Sequence, residues 1–351
     1  MGDAWPLERL MTEVVGSGPK SAEDMTREQA MEAMERILAG DPDPTTLGAF
    51  WLANRWKRNT PAELAAFVDV MREESVITAA PSCDPVDCGA NYDGKHSTAL
   101  LGVAAGLVAA AAGIPVVVHS GDRVPTQRAT AYRHVLEELG VETDLEPDES
   151  ARMVDSTGFG FYYQPRYNPG VHALLERRDQ MGVRTFINTI ETLANPANAS
   201  VHLGSFYHLA FAKKLTDTVA ASEALSVDRV VMFQGLEGYD DVRPGHTTVA
   251  AWSREGDFTD FAIRTDELGL SLEEADLAVD DLAADSAAIT EAVLAGERTG
   301  PAAEAVAINA AVRLYAGGAA ETIADGLEVA LDTLAGGQPA ERLAAIRSFA
   351  D

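Results

Sequence analysis

The chain has 351 residues, 46% of them hydrophobic, which is enough for a sizeable core and too apolar for a disordered polymer. Lys and Arg total 27 against 55 Asp and Glu, a net charge of -28 that opposes non-specific binding to nucleic acid. The two cysteines, Cys83 and Cys88, exclude a disulfide scaffold, and without His or Cys neighbours they make a poor zinc site.

Only five of the basic residues are Lys. An acidic, Lys-poor surface suits a protein that stays soluble in concentrated salt, where ions screen its self-repulsion. The start, Met1 to Leu10, carries no apolar signal core. The uncharged stretch from Ala99 to Val118 is about long enough to span a bilayer, but Gly113-Ile114-Pro115 interrupts it. A buried helix, a turn and a buried strand fit it better, so the reading is a soluble, cytoplasmic protein with no membrane partner.

In chain order, residues 1–75 read as helices. Thr26 caps a run with Gln29 at the capping-box position, and Gly40 with the Asp-Pro-Asp-Pro segment stops it. A second helix is predicted from about Thr45 to Arg58, and Thr60-Pro61 opens a third. From Ser82 the texture changes. The loop Gly89-Ala90-Asn91-Tyr92-Asp93-Gly94 leads into an apolar helix predicted from Ser97, and Ile114 to Val118 reads as a strand ending in His119-Ser120-Gly121-Asp122-Arg123. A helix over Tyr132–Leu139, strands over Phe159–Tyr163 and Val227–Phe233, and helices after Asp285 follow. Strands alternating with helices after a helical start predict an α/β fold. It comprises a small helical domain, 1–78 joined by helices near 175–200, and a large domain, 79–351, with a central mixed sheet flanked by helices.

Three constellations carry chemistry. The Gly89–Gly94 loop and Lys95-His96-Ser97-Thr98, placed at a helix start, suit an anion, because glycines admit close backbone approach and a helix N-terminus adds partial positive charge. An ordinary glycine turn with a Ser cap is the bland equivalent. Asp240-Asp241 after Gly238-Tyr239 offers hard oxygens for Mg²⁺, although acid pairs abound in this chain. Arg177, Arg178 and Arg184 suit carboxylate or phosphate recognition, or else surface ion pairs. His119 is a site residue or a hydrogen-bonded structural one.

Taken together and in order, these segments resemble the anthranilate phosphoribosyltransferase family, glycosyltransferase family 3. The resemblance rests on Met25-Thr26-Arg27-Glu28-Gln29-Ala30, on Thr60-Pro61-Ala62-Glu63-Leu64 and on the loop Gly89 to Asp93 ahead of Ser97-Thr98. It continues through His119 to Arg123, Arg178 to Asn188, Asn195-Pro196-Ala197, Gly238-Tyr239-Asp240-Asp241 and Asn309 to Gly317. It implies Mg²⁺-dependent transfer of phosphoribosyl from phosphoribosyl pyrophosphate (PRPP) to an aromatic amine such as anthranilate, and a homodimer formed through the helical domain. It also implies site residues: Gly89, Asp93, Lys95, Ser97, Thr98, His119 and Arg123 for substrate, Ser97, Asp240 and Asp241 for the metal, and Arg178 for the acceptor carboxylate.

The chain departs from the family pattern at several of these places. Ala90-Asn91-Tyr92 stands where the family has Thr-Gly-Gly, His119-Ser120 where it has Lys-His, and Asn168-Pro169 where it has His-Pro. Glu191-Thr192-Leu193-Ala194 stands for Gly-Pro-Leu-Thr. Such changes resemble a divergent branch with members that bind nucleic acid. A non-catalytic, polyanion-binding paralogue, using local basic residues such as Arg55, Lys57, Arg58, Arg123, Arg128 and Arg133, is therefore the alternative reading.

Overall fold

The computed structural model describes residues 5–16, 18, 20–89, 95–123 and 130–349. Asp93, with Ala90, Asn91, Tyr92 and Gly94, lies outside the described residues, as does Arg128.

Four helices open the chain: α1 (Leu7–Val15), α2 (Arg27–Ala39), α3 (Pro44–Lys57) and α4 (Pro61–Glu74). Thr26–Gln29 and Thr60–Glu63 both close reciprocal capping boxes, and Pro44 and Pro61 occupy first turns where no amide hydrogen is needed. Glu63 is fully buried and does more than cap. It accepts hydrogen bonds from the Met25 amide (2.9 Å) and from Lys57 Nζ (2.7 Å), so the α4 start ties α2 and α3 together.

The sheet has seven strands: β1 (Val86–Cys88), β2 (Val116–Ser120), β3 (Phe159–Tyr163), β4 (Val201–Ser205), β5 (Arg229–Phe233), β6 (His246–Ser253) and β7 (Thr259–Arg264). Their order is β3-β2-β1-β4-β5-β6-β7. The first five run parallel, and β6 and β7 add antiparallel. The mixed sheet with a helical start is the expected class. The strands after β5 were not anticipated, because β6 and β7 are half-exposed hairpin strands with Thr and Ala in place of a continuous apolar run.

The chain proceeds outward from β1 to β2 and β3, then restarts on the other side with β4 and β5. That reversal puts a crevice between the carboxyl ends of β1 and β4, where open α/β sheets bind ligands. One face of the sheet packs on the apolar helix Gly102–Ala111 and the helix Pro301–Ala316. The other face shares a core with the helical bundle, through Val117, Tyr162 and Met232 on the sheet and Phe50, Phe67 and Phe186 beneath it. Phe67 stacks on Phe186 at 4.2 Å between ring centroids. The segment from Phe186 to Ala194 thus rests on the bundle while crossing above β1.

The apolar helix begins at Gly102, five residues later than predicted. Residues 95 and 98 instead form isolated bridges to Thr130 and Ala278. Ser97 and Thr98 therefore lie on extended chain, not at a helix N-terminus, and owe nothing to a helix dipole. Among the described residues, no helix is long and apolar enough to cross a membrane.

Candidate active site

The extended segment Lys95–Thr98 meets the turn after β5. Glu237 sits in that turn with a left-handed backbone, φ 54°, an uncommon and costly state for a non-glycine residue. Gly235 is fixed there because a Cβ would run into the Tyr239 carbonyl. The Glu237 carboxylate accepts from the His96 amide (2.7 Å), the Thr98 amide (2.9 Å), Thr98 Oγ1 (2.6 Å) and Ser97 Oγ (3.2 Å). Burial alone would raise its pKa, but the Thr98 hydroxyl and the His96 amide hold it below its ordinary value. Four donors converge on one negative charge, which is the construction of an anion site. Ser97 and Thr98 were expected here; Glu237 was not, although an acid between two turn glycines after a buried strand was a visible signal.

Asp240 and Asp241 follow, both fully buried. Asp240 accepts from the Tyr132 hydroxyl and from Arg313 Nη2 (3.0 Å). Burial pushes its pKa up to about 6 against the pull of Arg313, and the neighbouring Asp241 pushes the same way. Each Asp240 oxygen thus accepts a bond from within the protein, and buried Arg313 holds the carboxylate in place. Asp241 is paired with Lys95, itself fully buried and donating to the Ala99 carbonyl at 2.6 Å. Lys95 is thus the buried counter-charge of Asp241. Asp241 Oδ1 has no hydrogen-bond partner, an orphaned buried oxygen that a cation would satisfy. Among the described residues no cluster of three or more His, Cys, Asp or Glu is ready to hold a metal. The fit to Mg²⁺ therefore rests on Asp241, with Glu237 in the same turn, Ser97 bonded to Glu237 from the facing segment, and the remaining oxygens left to a phosphate ligand.

His119 is the second-last residue of β2, within the strand where it was expected just past its end, and is fully buried. Its ring lies 3.3 Å from Asp87 Oδ1 and 3.1 Å from the Tyr167 hydroxyl. These contacts hold it between β1 and the helix residue Tyr167. His202 of β4, unremarked in the sequence, meets the other oxygen of Asp87 at 2.9 Å. Burial would raise the Asp87 pKa, yet the charge and hydrogen bonds of His119 and His202 hold it well below the carboxylate range. Burial pushes the Cys88 thiol up to about 12, so it is inert.

Arg178 is 1% exposed and grips Glu191 with both arms of its fork, Nη1 to Oε2 at 2.8 Å and Nη2 to Oε1 at 2.6 Å. Gln164 Nε2 adds a third bond to Glu191 at 3.1 Å. The fork is filled from within, by the acid at position 191 that stands where the family pattern has glycine. Arg123 is turned to Asp179 on the helix carrying Arg178. Gly89 lies against the 188–192 crossing, where a Cβ would strike the Thr192 carbonyl and the His202 ring.

Two family profiles match the chain: "Glycosyl transferase family, helical bundle domain" over residues 13–75 and "Glycosyl transferase family, a/b domain" over residues 87–340. The anthranilate phosphoribosyltransferase of Symbiobacterium thermophilum is 32% identical over 328 residues, covering 93% of this chain and 94% of that one. The chain belongs to this family. The anthranilate phosphoribosyltransferase of Burkholderia mallei is 31% identical over 323 residues, 91% of this chain and 92% of the other. Among solved structures, the anthranilate phosphoribosyltransferase of Thermus thermophilus aligns with a TM-score of 0.81 at 27% identity, covering 97% and 98% of the two chains. That of Saccharomyces cerevisiae, in complex with PRPP and Mg, shares the fold with a TM-score of 0.82 at 18% identity over 98% and 97%.

Proposed function

We propose that the protein is a Mg²⁺-dependent phosphoribosyltransferase that moves the phosphoribosyl group of PRPP to an aromatic amine, with anthranilate as the acceptor. The observation that carries this reading is the anion cradle of Ser97, Thr98 and the His96 and Thr98 amides, at the carboxyl end of the sheet and beside the orphaned oxygen of Asp241. Relatives that match end to end carry the same activity in their names.

In the reaction, the amine attacks the anomeric carbon as pyrophosphate departs. Most of the catalysis is positioning and electrostatics. When bound, Mg²⁺ would neutralise the leaving pyrophosphate, with Asp241, Ser97 and Glu237 as its protein oxygens. Pyrophosphate takes the cradle donors, and Glu237 gives them up. Lys95 pairs with Asp241 and Arg313 with Asp240, so each buried acid has a counter-charge beside it. An aromatic amine needs no strong protein base, because its nitrogen is already a free nucleophile.

The homodimer, cytoplasmic location and salt adaptation are parts of the same proposal. Exposed Leu52 and Trp56 on α3, the latter 79% exposed, support a contact through the helical bundle. Calorimetry of PRPP binding with and without Mg²⁺ tests the site. Asp241→Asn is expected to abolish the Mg²⁺-dependent part while the protein stays folded; unchanged affinity would remove Asp241 from the site.

A further inference from the structure

The crevice between the ends of β1 and β4 opens into a cleft of about 600 Å³. It is poor in groups that can take a proton. None of its described lining residues is Asp or Glu, and a guanidinium has no acceptor. Two histidines are among those residues, His202 of β4 and His208 just before the helix Leu209–Ala221. His208 stands exposed to water, whereas His202 is buried.

His202 is held from behind. Its Nδ1 lies 2.9 Å from Oδ2 of Asp87, a fully buried carboxylate on the neighbouring strand β1. A carboxylate only accepts, so Nδ1 carries the hydrogen and donates, and the neutral ring then has its lone pair on Nε2. Among the described residues no hydrogen bond reaches Nε2. The ring edge that carries it is flanked by bare backbone: a Cβ at Gly89 would come within 2.5 Å of Cε1, and one at Gly204 within 3.2 Å of Nε2. Gly89 opens the loop assigned to PRPP. Ser205, at the end of the same strand as His202, donates from Oγ to the Gly238 carbonyl at 2.9 Å, in the turn that carries Glu237 and Asp241. His202 thus sits between the two segments proposed to hold the donor. His119, on the other oxygen of Asp87, is fully buried and is not among the described lining residues.

We infer that His202 is the proton acceptor of the transfer, with Asp87 fixing its tautomer. The inference rests on the proposed function. Attack by a neutral amine needs no base, but it leaves a positively charged nitrogen that must shed a proton. The nitrogen lone pair forms the bond to the anomeric carbon. The bond from that carbon to pyrophosphate breaks, and its electron pair stays on the departing oxygen. One N–H proton passes to Nε2 of His202. The imidazolium so formed keeps the Asp87 carboxylate behind it, and it returns the proton to water when the product leaves.

Single-turnover kinetics of the full chain with PRPP, Mg²⁺ and anthranilate test this in His202→Gln and His202→Ala. Glutamine keeps a donor for Asp87 but has no basic nitrogen, and alanine leaves space for a free imidazole. His202→Gln is expected to slow the single-turnover rate about a hundredfold, while the anthranilate and PRPP concentrations that half-saturate it, and the melting temperature, stay close to those of the parent. Added imidazole is expected to restore much of the rate of His202→Ala and to leave His202→Gln unchanged. A His202→Gln rate equal to the parent's assigns the proton to water or to the carboxylate of anthranilate itself, and overturns the inference. A rise in either half-saturating concentration that accounts for the loss makes His202 a binding residue and overturns it too. So does a folded, slow His202→Ala that imidazole does not restore, since a wall residue would give that result. If the parent releases no pyrophosphate with anthranilate, the proposed function falls and the inference with it. A parent that turns over while His202→Gln keeps pace leaves the function standing and removes only His202.

Discussion

A buried charge must be matched, and at several positions the match decides what a residue does. Arg178 and Glu191 are both sealed from water and bonded fork to carboxylate. Removing one partner strands the other, at a cost of about 3–5 kcal/mol. Arg178→Ala is therefore expected to lower stability by that amount in urea denaturation, and replacing Glu191 by Leu and Arg178 by Met together is expected to recover much of it. A fully stable Arg178→Ala with only a raised acceptor KM would contradict the pairing. The residue type was legible in the sequence; its commitment was not, because the partner lies 13 positions away on a segment whose path depends on packing against Phe67. Asp87 behaves similarly. Its pKa is lowered by His119 and His202 in the folded protein, so it contributes stability above the unfolded value of about 3.9 and loses it as pH falls below that. Acid unfolding followed by circular dichroism is expected to be less steep in Asp87→Asn than in the parent; equal steepness would remove Asp87 from the acid transition.

Elements declare themselves in the sequence where the signal is local. The capping box at Thr26, the first-turn Pro61 and the run Phe159–Tyr163 are short-range chemistry, and each lies where it was expected. The start of the helix at Gly102 was missed because Lys95 to Thr98 are drawn into bridges by Thr130 and Ala278, residues far along the chain. The hairpin β6–β7 carries only a half-buried pattern. At the α4 start the two kinds of information separate. Thr60→Ala removes one cap bond and is expected to cost about 1 kcal/mol. Glu63→Ala strands Lys57, the Met25 amide and the helix start, and is expected to cost about 3 kcal/mol or more. Urea melts of the two variants measure the difference, and equal losses would mean that Glu63 acts only as a cap.

For the whole molecule, the dominant quantity is charge. Fifty-five acids against 27 bases repel one another over a surface that salt screens within about 10 Å at 0.1 M and 3 Å at 1 M. The melting temperature is expected to rise steeply from low to molar KCl, and a flat profile would contradict salt adaptation. Against that excess of acid, the Ser97–Thr98 cradle and the unpartnered oxygen of Asp241 are the proposed sites for pyrophosphate and Mg²⁺. The central claim is that these sites serve one transfer between PRPP and an aromatic amine. It is tested most directly by incubating the purified protein in molar KCl with PRPP, anthranilate and Mg²⁺ while following pyrophosphate release. The account predicts stoichiometric release that requires both anthranilate and Mg²⁺. Release of none, with PRPP and anthranilate both present at saturating concentration, would contradict it.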